Sequence, residues 1–233
     1  MSNISLIIPC YNEEKNIKPL FDQVKKLQKK IDLEFIVVNN GSEDKTEKEI
    51  NIFKKKIKYI KVVKVKKNIG FGNGVKKGLQ KSTSDIICYT HGDLQVKMSN
   101  ILTAYKIYKS KKKKNIFVKG LRVNRSFLDY FFTYAMSFFN SIIFRKSLFD
   151  IHAQPNLFHK SMLSKIDYLP NGMILDLYIL LSAKIKKYDV IRFKVKFLRR
   201  KYGTGSNENL AKKIKYSLLS ILSSLRIFFN GNF

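Results

Sequence analysis

Ile4-Ser-Leu-Ile-Ile-Pro-Cys-Tyr-Asn-Glu-Glu14 decides the fold. The run from Ile4 to Pro9 is apolar and has the length of a buried strand. Helical spacing begins at Glu14 and continues to Lys30, placing Ile17, Leu20, Phe21, Val24 and Leu27 on one face. A strand handing over to a helix is half of a βαβ unit.

The pattern repeats outward from there. Strands are expected over Phe35–Val38, Ile60–Val65 and Ile86–Tyr89, and helices over Thr46–Phe53 and Asn73–Gln80. This alternation predicts an α/β fold, a Rossmann-like and mostly parallel sheet flanked by helices. Beyond residue 100 the spacing predicts a helix over Ile101–Tyr108, a solvated basic turn over Lys109–Lys114 and a strand over Ile116–Lys119. A helix over Leu175–Lys187, a strand over Val190–Leu198 and a basic amphipathic helix over Leu210–Phe229 follow. No repeat or Pro/Gly linker divides the chain. One domain over residues 1–206 with a helical appendage over 207–233 is expected.

Composition narrows the class. The 233 residues are 45% hydrophobic and 27% charged, which suits a globular protein and argues against disorder. Lys and Arg number 46 against 17 Asp and Glu, a net charge of +29. Only six of the acids lie beyond residue 100, so the basic excess concentrates in the C-terminal half and points to an anionic partner there. Lys-rich usage with Ile and Asn also fits a compositional bias of the source. Cys10 and Cys88 form neither a disulfide framework nor a zinc-site spacing. A cytoplasmic setting, without a signal peptide, is expected. Phe127–Phe144 is the longest apolar run, but Asp129 and several polar residues make it too short and too polar to span a membrane. It reads as interfacial or buried.

In a parallel sheet, ligands sit beyond the carboxyl ends of the strands. The residues there are Pro9-Cys-Tyr-Asn-Glu-Glu14, Asn39-Asn-Gly-Ser-Glu-Asp44, Asn68-Ile-Gly-Phe-Gly-Asn-Gly74 and Thr90-His-Gly-Asp-Leu-Gln95. All are polar or Gly-rich, and all belong on one edge. The Gly-rich loop sits in the third unit, whereas a dinucleotide fingerprint belongs in the first, which argues against nicotinamide binding. Asp93, just past an apolar strand, is either a turn carboxylate holding backbone N–H groups or a ligand for a divalent cation completed by substrate phosphates.

Ser5-Leu-Ile-Ile-Pro-Cys-Tyr-Asn-Glu-Glu14, Phe35-Ile-Val-Val-Asn-Asn-Gly-Ser42 and His91-Gly-Asp-Leu-Gln95 together resemble family 2 glycosyltransferases of GT-A fold. The resemblance runs over roughly residues 1–125, with weaker echoes to about 206. It is strongest to the polyprenyl-phosphate sugar synthase branch and to bacterial relatives whose fourth motif begins Thr-His-Ala-Asp. It implies an inverting, nucleotide-sugar-dependent hexosyltransferase of cell-surface glycan synthesis, using Mg²⁺ or Mn²⁺. Pro9, Tyr11, Glu13, Asn39, Asn40, Asn68, Gly70 and Gly92 match the nucleotide pocket, and Asp93 matches the metal ligand. Asn39 and Asn40 replace common Asp residues, so the base is left open. His91 stands where many members have a first Asp, as a metal ligand or as a hydrogen-bond partner of phosphate or Asp93.

On the acceptor side, the resemblance places Arg122 and Arg125 on a phosphate, and Arg200 and Lys201 in a late Arg-x-x-Gly-x-Ser loop with Gly205 where its Ser is expected. Asp176 and Asp150 match acidic positions facing the site, with His152 and Gln154 as pocket residues. Arg122 and Arg125 favour a polyprenyl phosphate acceptor, whereas Asp176 or Asp150 as base would suit a sugar hydroxyl of a growing glycan. Asp176 at a helix start has an electrostatic explanation too. The expected partners are thus a nucleotide-diphosphate sugar, a lipid-linked or glycan acceptor and an anionic membrane surface, met peripherally at its inner face. A homo-oligomer is left open. A basic nucleic-acid-binding protein would explain the charge, but not four polar loops on one edge. A nucleotidyltransferase would need a Gly-rich basic loop directly after the first strand, which is absent.

Overall fold

The computed structural model describes residues 3–163, 169–203 and 210–229. Strands β1 (Ile4–Cys10), β2 (Leu33–Asn40), β3 (Ile60–Val65) and β4 (Ile86–Tyr89) alternate with helices α1 (Glu14–Gln28), α2 (Thr46–Lys54) and α3 (Phe71–Lys81). Then come α4 (Ser99–Ser110), β5 (Ile116–Val123), α5 (Phe127–Phe144), β6 (Asn156–His159), α6 (Leu175–Ile185), β7 (Asp189–Lys196) and α7 (Leu210–Phe229). The seven strands form one sheet in the order β3-β2-β1-β4-β6-β5-β7. The chain leaves β1 for β2 and β3, then returns to pair β4 on the other side of β1, so the strand order reverses between β1 and β4. Ligand crevices open at such a reversal.

The sheet is mostly parallel, with one interruption. β6 runs antiparallel to both β4 and β5. It is four residues long and carries no turn signal of its own, which is why the sequence pattern missed it. β5 also runs to Val123, four residues past its expected end at Lys119, because its whole length pairs β7.

Every residue of β1 and β2 is buried, the signature of parallel strands covered on both faces. One layer packs α1 and α4 against Ile4, Leu6, Ile8 and Phe35, with Phe21 edge-on to Phe35 at 5.3 Å. The other packs α3 and α6 against Ile7, Ile36 and Phe158. Each such side chain contributes about 1.5–3 kcal/mol by leaving water. These layers hold the strand ends, and therefore the loops, in register.

α2 adds Ile50 to the α1 layer, whereas α5 and α7 lie outside this sandwich. α5 is largely exposed: Phe127, Phe131, Tyr134, Phe138 and Ile142 recur at helical spacing on an open face, with Phe127 82% and Phe138 70% accessible. α7 packs against α5 in the same direction, with Lys213 on Asp129 at one end and Phe228 near Phe144 at the other. Of the two expectations for Phe127–Phe144, burial is therefore not met. Among the described residues, no helix is long and apolar enough to cross a membrane. The expected boundary at residues 206 and 207 lies outside the described residues.

Candidate active site

The four polar loops do meet along one edge, and side chains stitch them together. Asn12 N–H donates to Ser42 Oγ (3.1 Å), Glu13 N–H to Thr46 Oγ1 (2.8 Å) and Glu43 N–H to Asn12 Oδ1 (2.9 Å), binding the β1 and β2 loops. Asn68 accepts from Gly70 N–H, and Asn40 Nδ2 donates to the Gly70 carbonyl, which ties the β2 and β3 loops. Two glycines are steric requirements. A side chain at Gly70, whose φ is +119°, would strike the Asn171 carbonyl, and one at Gly92 would meet Cys10 Sγ at 2.8 Å under the β4 loop.

Pro9, Glu13, Asn39, Asn40 and Gly92 are buried here, while Tyr11 is 40% exposed at the rim. Asn39 is spoken for, accepting from Ser42 N–H and donating to Glu47. Asn40 Oδ1 has no partner and is buried, so an acceptor waits at the β2 edge.

Asp93 Oδ1 accepts from Gln95 N–H, which is turn chemistry, while Asp93 Oδ2 and Glu13 Oε1 accept from the two terminal nitrogens of Arg200 at 2.9 and 3.1 Å. Burial pushes the Glu13 carboxyl up, against Asn16 and Arg200, with Asp93 adding to the rise. One guanidinium therefore stands as a cation between two carboxylates from different loops. Gln95 makes this possible by exchanging bonds with Leu198, its amide donating to the Leu198 carbonyl while Leu198 N–H donates to its own. Among the described residues, no three His, Cys, Asp or Glu side chains converge as a complete metal site. Asp93 and Glu13 do fit a divalent ion whose other ligands are phosphate oxygens, since Mg²⁺ commonly uses one or two carboxylates plus substrate. His91 has its ring tilted at 43° to that of Phe71, with centroids 4.3 Å apart, and burial lowers its pKa against the pull of Asp93. Lys201 points its ammonium over Tyr202. Gly205 and Ser206 lie outside the described residues.

The side expected to take the acceptor is built differently. Asp176, at the start of α6, is fully buried. Tyr89 Oη donates to it at 2.7 Å, Gln154 Nε2 at 3.2 Å and Asn156 Nδ2 at 3.4 Å, and His152 Nδ1 lies 3.3 Å away. Burial opposes its ionisation, but the His152 hydrogen bond and the charges of Lys119 and His91 outweigh it and hold the carboxyl below its usual range. Lys119, buried in β5, donates to the Ala153 carbonyl and to Asn156 Oδ1, both at 2.7 Å, and burial brings its pKa down to about 7. Asp150 accepts from the Arg122 backbone N–H and from its Nε, both at 2.8 Å. Arg122 and Arg125 flank the Phe197 ring, and Arg125 Nη1 donates to Thr133. The two arginines expected on a phosphate are thus largely engaged within the protein.

Four residues of this arrangement escaped the sequence reading: Lys119, Tyr89, Asn156 and Phe197. The available signal was a polar side chain at the end of an apolar strand run, which Tyr89 and Lys119 share. Their partners lie too far along the chain for spacing to reveal them.

The model of glycosyl transferase family 2 matches residues 5–166. A dolichol-phosphate mannosyltransferase of Pyrococcus furiosus is 29% identical over 92 residues, 40% of this chain and 26% of that protein. A dolichyl-phosphate β-glucosyltransferase of Trichomonas vaginalis is 30% identical over 113 residues, 46% of this chain and 34% of that protein. The matched stretches thus cover only about a quarter to a third of these curated relatives. Glucosyl-3-phosphoglycerate synthase from Mycobacterium tuberculosis, solved with Mn²⁺, UDP-glucose and phosphoglyceric acid, superposes with a TM-score of 0.72 at 17% identity, over 96% of this chain and 79% of that one. That likeness is one of fold.

Proposed function

Because the chain belongs to glycosyl transferase family 2, we propose that it moves a sugar from a nucleotide-diphosphate sugar to a lipid-linked acceptor at a membrane surface. The donor lies across the ends of β1, β2 and β4. Asn40 offers its unpaired oxygen to base or ribose, and Gly70 and Gly92 let backbone approach the ligand closely. Asp93 and Glu13 would hold Mg²⁺ or Mn²⁺ at this edge, and the ion would supply charge neutralisation for the diphosphate. Arg200, which bridges the two carboxylates, would then be free to pair with the diphosphate. A direct displacement by the acceptor inverts the anomeric carbon. Charge stabilisation aimed at the leaving group is the main catalytic contribution.

The observation that carries the lipid-linked half is the open apolar stripe of α5 beside α7. Leu218, Leu222 and Phe229 of α7 are exposed, and Lys212, Lys215 and Arg226 stand among them. Basic amphipathic helices lie in the membrane interface, with apolar side chains down and cations against anionic headgroups. The dolichol-phosphate substrates in the relatives' names support a polyprenyl-type carrier, and hence a peripheral enzyme of cell-surface glycan synthesis.

Two measurements test this. Thermal stability is followed with UDP-glucose, UDP-N-acetylglucosamine and GDP-mannose, each with and without Mn²⁺. A Mn²⁺-dependent rise with at least one is expected, and none with any of them removes the transferase reading. Sedimentation with anionic vesicles should show binding that weakens as salt rises. No binding to anionic vesicles even at low salt removes the membrane.

A further inference from the structure

Asp176 holds the acidic position from which a base would be expected to act, yet its carboxylate is wholly inside the protein and already receives Tyr89, Gln154 and Asn156. A group in that position cannot reach an acceptor oxygen. The side chain beside it can. His152 sits in the segment between α5 and β6 with 29% of its side chain accessible, and its Nδ1 is 3.3 Å from Asp176 Oδ2.

An ionised carboxylate only accepts hydrogen bonds, so Nδ1 carries the hydrogen and Nε2 is left as the nitrogen with a free lone pair. The position also suits the reaction. Asp176 accepts from Tyr89, the last residue of β4, and the loop that follows Tyr89 carries Asp93. Through Asp176, His152 is therefore joined to the strand whose end bears the diphosphate edge.

The geometry points to His152 as the catalytic base that takes the acceptor's proton, with Asp176 as the positioning residue that fixes its tautomer and stabilises the imidazolium. This rests on the transferase reading above and deepens it, because a base is needed only where the attacking oxygen bears a proton. The acceptor class is then a hydroxyl on a lipid-linked molecule, not an ionised phosphate. That agrees with Arg122 being held by Asp150. As the acceptor oxygen bonds to C1, the bond from C1 to the diphosphate oxygen breaks and its electron pair leaves with the nucleoside diphosphate. The proton passes to Nε2 and then to water, while the other ring hydrogen stays on Nδ1, donated to Asp176.

The test uses the full chain on vesicles, with the donor identified by thermal shift and two acceptor probes, octyl glucoside and farnesyl phosphate. His152→Ala should lower kcat on octyl glucoside by about 10²–10⁴-fold, with the affinity for the nucleoside diphosphate unchanged and added imidazole restoring part of the rate. His152→Gln, which keeps a hydrogen-bonding side chain but has no basic ring nitrogen, should be as slow as His152→Ala. Turnover of His152→Ala within about threefold of wild type, or glycosylation of farnesyl phosphate alone, would overturn the assignment. A wild type that binds no nucleotide sugar overturns the transferase reading itself, and this inference with it.

Discussion

The proposed donor edge and the proposed acceptor side of the sheet hold their charges by opposite means. At the donor edge, Glu13 and Asp93 sit on loops and are bridged by an arginine more than a hundred residues away, 23% of whose side chain is accessible. That contact is exchangeable. At the acceptor side, Asp176 and Lys119 are fully buried on rigid elements and are held by neutral amides, a phenol and an imidazole. A buried ionised group with several fixed donors is costly to disturb. One region is arranged to trade partners and the other to keep them. A group that must bind a cation and release a product belongs in the first, and a group that must aim another residue belongs in the second.

The sharpest way to break this contrast is Asp93→Asn. It should reduce transfer to background while circular dichroism and melting stay near wild type, because the lost carboxylate has only Gln95 and Arg200 as partners. Measurable turnover would mean that the donor edge does not depend on an exchangeable anion. Asp176→Ala should act the other way, on the fold itself. Four polar groups lose their common partner, and a stability loss of about 3–5 kcal/mol is expected in urea unfolding. An unfolding midpoint matching that of Asp93→Asn would erase the distinction.

Legibility in the sequence divides along the same line. β1 to β4 were located within about two residues, because parallel strands buried on both faces read as continuous apolar runs. Their loops followed from topology alone, and so did Glu13, Asn40 and Asp93 as edge residues. The acceptor side was legible only as residue types. Asp150, His152, Gln154 and Asp176 were singled out, but no periodicity shows that Asp176 would face inward to Tyr89 across 87 positions. Nor could spacing find Arg200 between Glu13 and Asp93, since that geometry depends on Gln95 gripping the exit of β7.

Outside both regions, reversing Lys212, Lys215 and Arg226 to Glu should weaken association with anionic vesicles, at about 1 kcal/mol for each cation removed from the surface. Turnover on a soluble acceptor should be unchanged. Co-sedimentation that stays the same at low salt would leave the α5–α7 face without its proposed function. The smallest effect is a pH dependence. Lys119 has a folded pKa of about 7, below its ordinary 10.5. The unfolded chain therefore binds the extra proton between those values, and stability gains as pH rises through 7 towards 10. Wild type should gain on Lys119→Met over that window by differential melting. A flat difference would mean that the ammonium stays charged inside the core.

The parallel course of α5 and α7 has an electrostatic consequence. Two antiparallel helices cancel each other's macrodipoles, whereas side-by-side helices of 18 and 20 residues add theirs. Each amino-terminal end carries about half a positive charge, and both ends lie together near Phe127 and Leu210. Asp129 sits there between Lys213 and Arg125 and offsets part of the sum. The carboxyl ends, about 30 Å away at 1.5 Å per residue, are the negative pole, with Arg226 in the last turn of α7 as its counterweight. The pair is thus a polar rod with a sense of direction, and on a surface of anionic lipid its two ends are not equivalent. On the anionic bilayer proposed above, that asymmetry would give the molecule a preferred yaw, fixing which way the strand-end crevice opens along the plane of the surface.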